Sequence, residues 1–210
     1  MSCTLLYISS SPLGSASLSR QLTEEFVQSW KRANPSGGMI ERDLTATDIS
    51  PVSAAWISAS RTAADLRTKA QREILTASDA LIGELRAADE YVFGVPMHNF
   101  GVPSVLKLWI DQVARVNETF SYATGTPVGL LTGKKATLVI SSGGVYTAGT
   151  AMAAYDFVEP YLRTVLGFLG VKEVTTVHAG GASALASGKI GAQEFLQPHY
   201  DAIHAQFNAA

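Results

Sequence analysis

The sequence predicts an open α/β fold: a parallel sheet of five strands with helices wound onto both faces. Three observations carry this. Short continuous apolar runs of strand length recur along the chain, bounded by Gly, Pro, Ser or Lys. Between them lie segments with apolar residues at helical spacing. The two kinds alternate from end to end, which is the pattern of βαβ units. The chain has 210 residues, 47% of them hydrophobic and 16% charged, so it carries enough apolar material for a sizeable core. No linker or internal repeat interrupts it, and one domain over residues 1–210 is expected.

The first strand is expected at residues 4–9. A helix over 17–33 follows, where Leu18, Leu22, Phe26 and Trp30 recur at i, i+4 and share one face. A weaker strand pattern lies at 39–44. The Ser/Ala-rich stretch 45–67, with Trp56 and Ile57, is expected to be partly helical. A long helix over 68–88 has Ile74, Leu75, Leu81, Ile82 and Leu85 as its apolar positions. Runs at 91–95, 136–141 and 173–178 complete the strands, and their near-continuous apolarity suits burial on both faces. Further helices are expected at 104–115, 155–169 and 190–207. Pro198 must start, kink or break the last of these. Residues 119–134 leave the alternation as an excursion beyond the sheet, and excursions of that size often carry function.

Charge and cysteine usage exclude several classes. There are 16 Lys+Arg against 18 Asp+Glu, net -2, with no basic run, which argues against electrostatic nucleic-acid binding. The single Cys3 permits no intrachain disulfide. No Cys/His zinc spacing exists, and His199 and His204 stand five apart rather than four, so no metal is expected. The apolar run near the N-terminus is short and lacks a basic flank, and no 18-residue apolar run exists. No signal peptide, no membrane span and a cytoplasmic location are therefore expected. So little charge leaves apolar surface exposed, which points to an interface. There is no G-x-G-x-x-G, P-loop or G-x-S-x-G. Asp111 and Arg115 read as an i, i+4 helix salt bridge, and Lys134-Lys135 as a solvated face.

In open α/β sheets, ligands bind beyond the carboxyl ends of the strands. After the first strand comes Ser9-Ser10-Ser11-Pro12-Leu13-Gly14-Ser15-Ala16-Ser17-Leu18-Ser19, dense in hydroxyls and running into a helix. Free N–H groups at a helix start, with Ser hydroxyls, can hold a phosphate without Lys or Arg; a capped, solvated turn is the plainer alternative. After the third comes Pro96-Met97-His98-Asn99-Phe100-Gly101, a thioether, imidazole, amide and aromatic ring that suit a flat, heteroatom-edged ligand. After the fourth comes Ser141-Ser142-Gly143-Gly144, where glycines permit close backbone approach. One loop for a phosphate and two framing a planar ring describe a flavin mononucleotide (FMN) site.

The chain resembles the flavodoxin-like FMN-dependent NADH-azoreductases, the homodimeric quinone and azo reductases of bacteria, over nearly its whole length. Pro96-Met97-His98-Asn99-Phe100 is similar to that family's P-M-[Y/W/H]-N-F, Ser141-Ser142-Gly143-Gly144 to its S-R-G-G, and Ser11…Ser17-Leu18-Ser19 to its phosphate loop. The resemblance implies a flavodoxin-like three-layer sandwich, FMN as cofactor, NADH or NADPH as donor, and quinones and azo compounds as acceptors. It implies that Ser11, Ser17, Leu18 and Ser19 hold the phosphate. Pro96, Met97, His98, Asn99 and Phe100 would line the ring system and ribityl chain, and Ser141, Ser142, Gly143 and Gly144 would reach the pyrimidine edge. Arg61, Phe120, Tyr122 and Phe168 would border the substrate space, where the aromatic ones could come from a partner chain in a homodimer; core packing is the plainer alternative for an aromatic, Phe168 above all, and a solvated surface position for Arg61. Two departures stand out: His98 where Tyr is frequent, and Ser142 where Arg is frequent. His98 is the one titratable side chain of these loops and a candidate proton donor; packing or a plain hydrogen bond is the simpler role. No other catalytic side chain is assigned, since the flavin carries the chemistry. Three other readings stay open: a flavodoxin-like electron carrier, a larger FAD-binding quinone reductase, and a non-catalytic FMN-binding module.

Overall fold

The computed structural model describes residues 3–208. In chain order the elements are β1 (Thr4–Ser9), α1 (Leu18–Ala33), β2 (Gly38–Asp43), α2 (Ala54–Arg61), α3 (Lys69–Ala87), β3 (Glu90–Pro96) and α4 (Ser104–Val113). There follow β4 (Phe120–Ser121), β5 (Val128–Gly129), β6 (Lys135–Ser141), α5 (Glu159–Leu169), β7 (Glu173–Ala179), α6 (Ala182–Ala186) and α7 (Ala192–Ala205). The main sheet has the order β2-β1-β3-β6-β7, all pairings parallel. The order reverses direction between β1 and β3, which makes that crevice the switch point.

Alternation along each strand divides the core in two. Leu6, Ile8, Tyr91, Phe93, Val95, Leu138 and Ile140 face one side, where Leu81 and Leu85 of α3, Leu106 and Trp109 of α4, and Leu162 and Leu166 of α5 cover them. Leu5, Tyr7, Val92, Val139 and Val177 face the other, under Phe26 and Trp30 of α1 and Phe195 and Ile203 of α7. The three layers follow from this two-sided burial. Among the described residues, no helix is long and apolar enough to cross a membrane.

Local chemistry sets the element ends. Ser17, Ser53 and Thr68 accept hydrogen bonds from the amides of Arg20, Trp56 and Gln71, so α1, α2 and α3 each start one residue after a side-chain cap. The helix expected over 155–169 starts later, at Glu159. Pro160 tolerates only the first turn, and Asp156 Oδ1 accepts from the amides of Val158 and Glu159. Pro198 does not end a helix but lies inside α7, where buried Phe195, Leu196 and Ile203 hold both halves of the helix onto the core. Ile74, expected on the apolar face of α3, is 41% exposed, while Leu75, Leu81, Ile82 and Leu85 are buried. The excursion at 119–134 contains a short antiparallel ribbon, Phe120 opposite Gly129. Gly129 has no room for a side chain, because a Cβ there would lie 2.2 Å from the Gly170 amide nitrogen.

The expected Asp111–Arg115 pair does not form. Lys107 Nζ reaches Asp111 Oδ1 at 2.6 Å, one turn earlier on α4. Arg115 lies past the end of α4 and is 2% exposed, with Nη1 on Asp79 Oδ1 (2.5 Å) and Ser78 Oγ (2.9 Å) of α3. The helix stops at Val113 because residues 115–120 close on themselves, the amide of Thr119 donating to the Arg115 carbonyl at 3.0 Å. Lys134 is also not merely solvated. Its ammonium group donates to the carbonyls of Arg86 and Ala88 at the end of α3.

Candidate active site

The three loops singled out by their composition all leave the carboxyl ends of adjacent strands. Ser9 ends β1 opposite Gly94 of β3, and Pro96 ends β3 opposite Ser141 of β6.

After β1 the chain turns through a 3-10 segment, Gly14–Ala16, into α1. Ser9, Ser10, Ser11, Ser17 and Ser19 are all buried. Of the hydroxyls of Ser9-Ser10-Ser11, one gives its proton to a protein carbonyl, and the other two accept. Ser10 Oγ donates to the Gly94 carbonyl at 2.9 Å, and Ser9 Oγ accepts from Arg20 at 3.2 Å. Ser11 Oγ accepts only from the Leu13 amide, at 3.4 Å, which leaves its proton free to donate. Ser17 and Ser19 share a contact of 3.1 Å between their hydroxyls. Leu18 packs its side chain on the core, so what it offers this turn is its amide, one of the free N–H groups of a helix start. The turn sits tightly on the sheet because Gly94 lets α1 approach β3. A Cβ at Gly94 would meet Thr23 Oγ1 at 2.8 Å.

After β3, the Met97 amide is tied to the Ser141 carbonyl at 2.8 Å. His98 and Gly101 then exchange both backbone bonds, each 3.0 Å, around a two-residue hairpin. Asn99 and Phe100 at its tip have φ of 49° and 71°. Left-handed backbone at a phenylalanine is costly, and such strain concentrates at functional sites. The strain presents Phe100, 43% exposed, to two rings: Tyr146 at 6.2 Å and Tyr155 at 5.6 Å between centroids. The Phe157 amide donates to the Phe100 carbonyl at 3.1 Å, tying this tip to the segment before α5. His98 is exposed, and its imidazole has no hydrogen-bond partner among the described residues.

After β6, the carbonyls of Ser142, Gly143 and Gly144 accept from the amides of Ala182, Ser183 and Gly181 at 3.0, 3.1 and 3.0 Å. Ser142 Oγ donates to the Gly144 carbonyl at 2.9 Å. The loop after β7 thus occupies this turn's acceptors, while the amides of Gly143 and Gly144 have no protein acceptor among the described residues. Open space surrounds the place where a Cβ of Gly143 would stand. Donors are free where an electron-rich ring edge would lie.

The four expected substrate-side residues do not join these loops within one chain. Phe120 is buried and packs on Phe168 at 4.6 Å and on Tyr122 at 5.6 Å. This aromatic trio sits at the amino end of the sheet. Phe168 is near the C-terminus of α5, whose 11 residues run roughly 16 Å from the carboxyl edge, beside Tyr155, toward the start of β7. Arg61, at the end of α2, lines a cavity of about 240 Å³ with Trp56, Ser60, Arg115, Val116 and Asn117. Val116 is bridged to Phe120, so Arg61 belongs with the trio's neighbourhood.

Composition of the loops missed three contributors. Tyr146 and Tyr155 reach Phe100 only through tertiary structure. Arg20 had a local signal: it is a cation in the first turn of a helix that holds no acid there.

Buried hydroxyls at the switch point, a strained aromatic hairpin beside them and free amides on the next loop sit at the ligand edge of an α/β protein of the doubly wound class. The chain matches a family model described as "Flavodoxin-like fold" over residues 4–203. It is 53% identical over 195 residues to an FMN-dependent NADH:quinone oxidoreductase of Acidobacterium capsulatum, covering 93% of this chain and 94% of that one. Its structure superposes on an azoreductase from Bacillus anthracis with a TM-score of 0.88 and 26% identity, covering 99% and 100% of the two chains. An FMN-dependent NADH-azoreductase of the same species, solved in complex with FMN, shares the fold at a TM-score of 0.85 and 24% identity, over 98% of each chain. The chain belongs to the flavodoxin-like family of FMN-dependent NADH:quinone oxidoreductases.

Proposed function

We propose that the chain acts as one FMN-binding domain that takes electrons from NADH or NADPH and reduces quinones to hydroquinones and aromatic azo compounds to amines. The observation that carries the reading is the convergence, at the β1/β3 switch point, of free Ser11 and helix-start donors, the Asn99–Phe100 hairpin and the free amides of Gly143 and Gly144. These fit the three parts of FMN: phosphate, ring face and ring edge. Ser11, Ser17, Ser19 and the Leu18 amide hold the phosphate. Pro96, Met97, His98, Asn99 and Phe100 seat the ring, and Ser141, Ser142, Gly143 and Gly144 meet its pyrimidine edge. FMN held by these residues would supply the redox chemistry, hydride acceptance from a reduced nicotinamide and two-electron delivery to an acceptor.

The protein's part is placement. Phe100, Tyr146 and Tyr155 hold flat partners face to face with the ring. Amides of Gly143 and Gly144 favour negative charge at the ring edge without moving. One open shelf admits one flat molecule at a time, so donor and acceptor take turns and ping-pong kinetics follow. A quinone consumes two electrons and two protons; an azo bond cleaved to two amines consumes four of each, hence two rounds. His98, exposed and without a hydrogen-bond partner among the described residues, is the candidate side chain for delivering a proton. Arg61, Phe120, Tyr122 and Phe168 reach the shelf from a partner chain in a homodimer, since within one chain they lie at the other end of the sheet. A cytoplasmic location fits a consumer of nicotinamide nucleotides.

The visible spectrum of the purified protein tests this directly. Oxidised-flavin bands, bleached by NADH without oxygen and restored by menadione, are the expected result. A flavin spectrum that NADH leaves unchanged would favour an electron carrier, against which the net charge of only -2 already counts.

A further inference from the structure

Arg20 breaks a local rule. It is the third residue of α1, where the helix dipole disfavours a cation. No acid in that turn offsets it. Its side chain is nonetheless only 13% exposed and folds back beneath the serine turn. One guanidinium nitrogen, Nη2, donates both to Ser9 Oγ (3.2 Å) and to Asp43 Oδ2 (2.6 Å), while its own amide donates to Ser17 Oγ (3.3 Å). Arg20 therefore touches the turn at both ends, where β1 leaves the sheet and where α1 begins. Its Nε is buried without a partner among the described residues, as is the neighbouring Tyr7 hydroxyl. An incompletely bonded cation shielded from water projects its field further than a surface arginine does. Asp43 neutralises it only in part. That carboxylate is more exposed, at 28%, and its other oxygen is taken by the amide and hydroxyl of Thr45, at 2.9 and 2.7 Å.

We propose that Arg20 is a positioning residue for the phosphate end of the FMN site: its guanidinium braces Ser9 and places a buried positive charge behind the serine turn. A dianionic ligand at this turn removes the conflict between the cation and the helix dipole, because both then face negative charge. The alternative is a purely structural tie from α1 to the end of β2. This inference rests on the FMN reading above.

The two roles separate by ligand. Apoprotein titrated with FMN and with riboflavin, which lacks the phosphate, gives both affinities from flavin fluorescence. Arg20→Gln should weaken FMN about tenfold and leave riboflavin unchanged, and it should flatten the salt dependence of FMN binding. Arg20→Lys, which keeps the charge, should recover most of the FMN affinity and serves as the test if the Gln variant does not fold. Equal losses for both flavins, or no loss for either, would overturn the proposal. If the wild-type protein binds neither flavin, the FMN reading itself fails.

Discussion

A missing side chain governs how closely α1 lies on the sheet. Gly94 sits mid-strand in β3 at a point where the Ser19 carbonyl and Thr23 hydroxyl of α1 press onto it; any larger residue would have to push the helix away. Gly94→Ala is expected to cost about 1–3 kcal/mol, as overpacking does. Urea denaturation should also show that Thr23→Ala, which removes the contacting hydroxyl, recovers part of the loss in the double variant. Simple additivity would mean that the close approach does not matter. The glycine was visible in sequence as an interruption of an apolar strand run. Its reason was not, because the helix that crowds it lies some 70 positions away along the chain. Arg115 teaches the same lesson. Spacing paired it with Asp111, yet a guanidinium past the helix end reaches Asp79 on the neighbouring helix instead.

Strand runs and helix faces were legible because burial imposes periodicities of two and of 3.6 on the sequence. Element ends were less so. The start of α5 required knowing that Asp156 accepts from the first amides and that Pro160 fits only the first turn. This start is also where the fold responds to acid. Burial pushes the Glu159 carboxyl up, but hydrogen bonds from Arg163 (2.7 Å) and Thr176 (2.8 Å) and the nearby His178 push it further down, below the ordinary glutamate range. A carboxyl with a depressed folded value contributes stability above its unfolded value and loses it as pH falls through the folded one. Glu159→Gln should therefore be less stable than wild type near neutrality. Its urea midpoint should fall less as pH drops below about 4.3, the ordinary glutamate value. Parallel acid limbs for the two proteins would mean that the α5–β7 network adds no acid-sensitive stability. The network also anchors the stretch that ties back to Phe100, so it bears on the site as well as on the helix.

At the scale of the whole molecule, a low charge fraction first suggested only hidden apolar surface. The structure gives that surface two addresses. Beside the carboxyl-edge loops, Phe100, Tyr155 and Phe157 are exposed; at the opposite end of the sheet, Val116, Tyr122 and Phe168 are. In an isologous dimer each chain's second patch covers its partner's first. Sizing is expected to show a dimer. Tyr122→Ala should lower turnover of menadione about tenfold while the affinity for FMN stays unchanged, because the ring serves the other subunit's acceptor rather than the flavin. A fully active monomer would refute this arrangement.

By itself the sequence determined the layered parallel sheet, the order of its elements and the three loops that carry polar and glycine chemistry, since each is written in local composition and short-range periodicity. Tertiary structure alone decided that Ser10 of Ser9-Ser10-Ser11 gives its proton to the Gly94 carbonyl while Ser9 and Ser11 only accept, that Tyr146 and Tyr155 flank Phe100, and that the aromatic trio stands a helix length from the carboxyl-edge loops. These depend on distances between segments remote in sequence, and no local pattern encodes a distance across the sheet. The low charge of the opening composition thereby acquired a location: two apolar patches, one beside the carboxyl-edge loops and one at the amino end of the sheet.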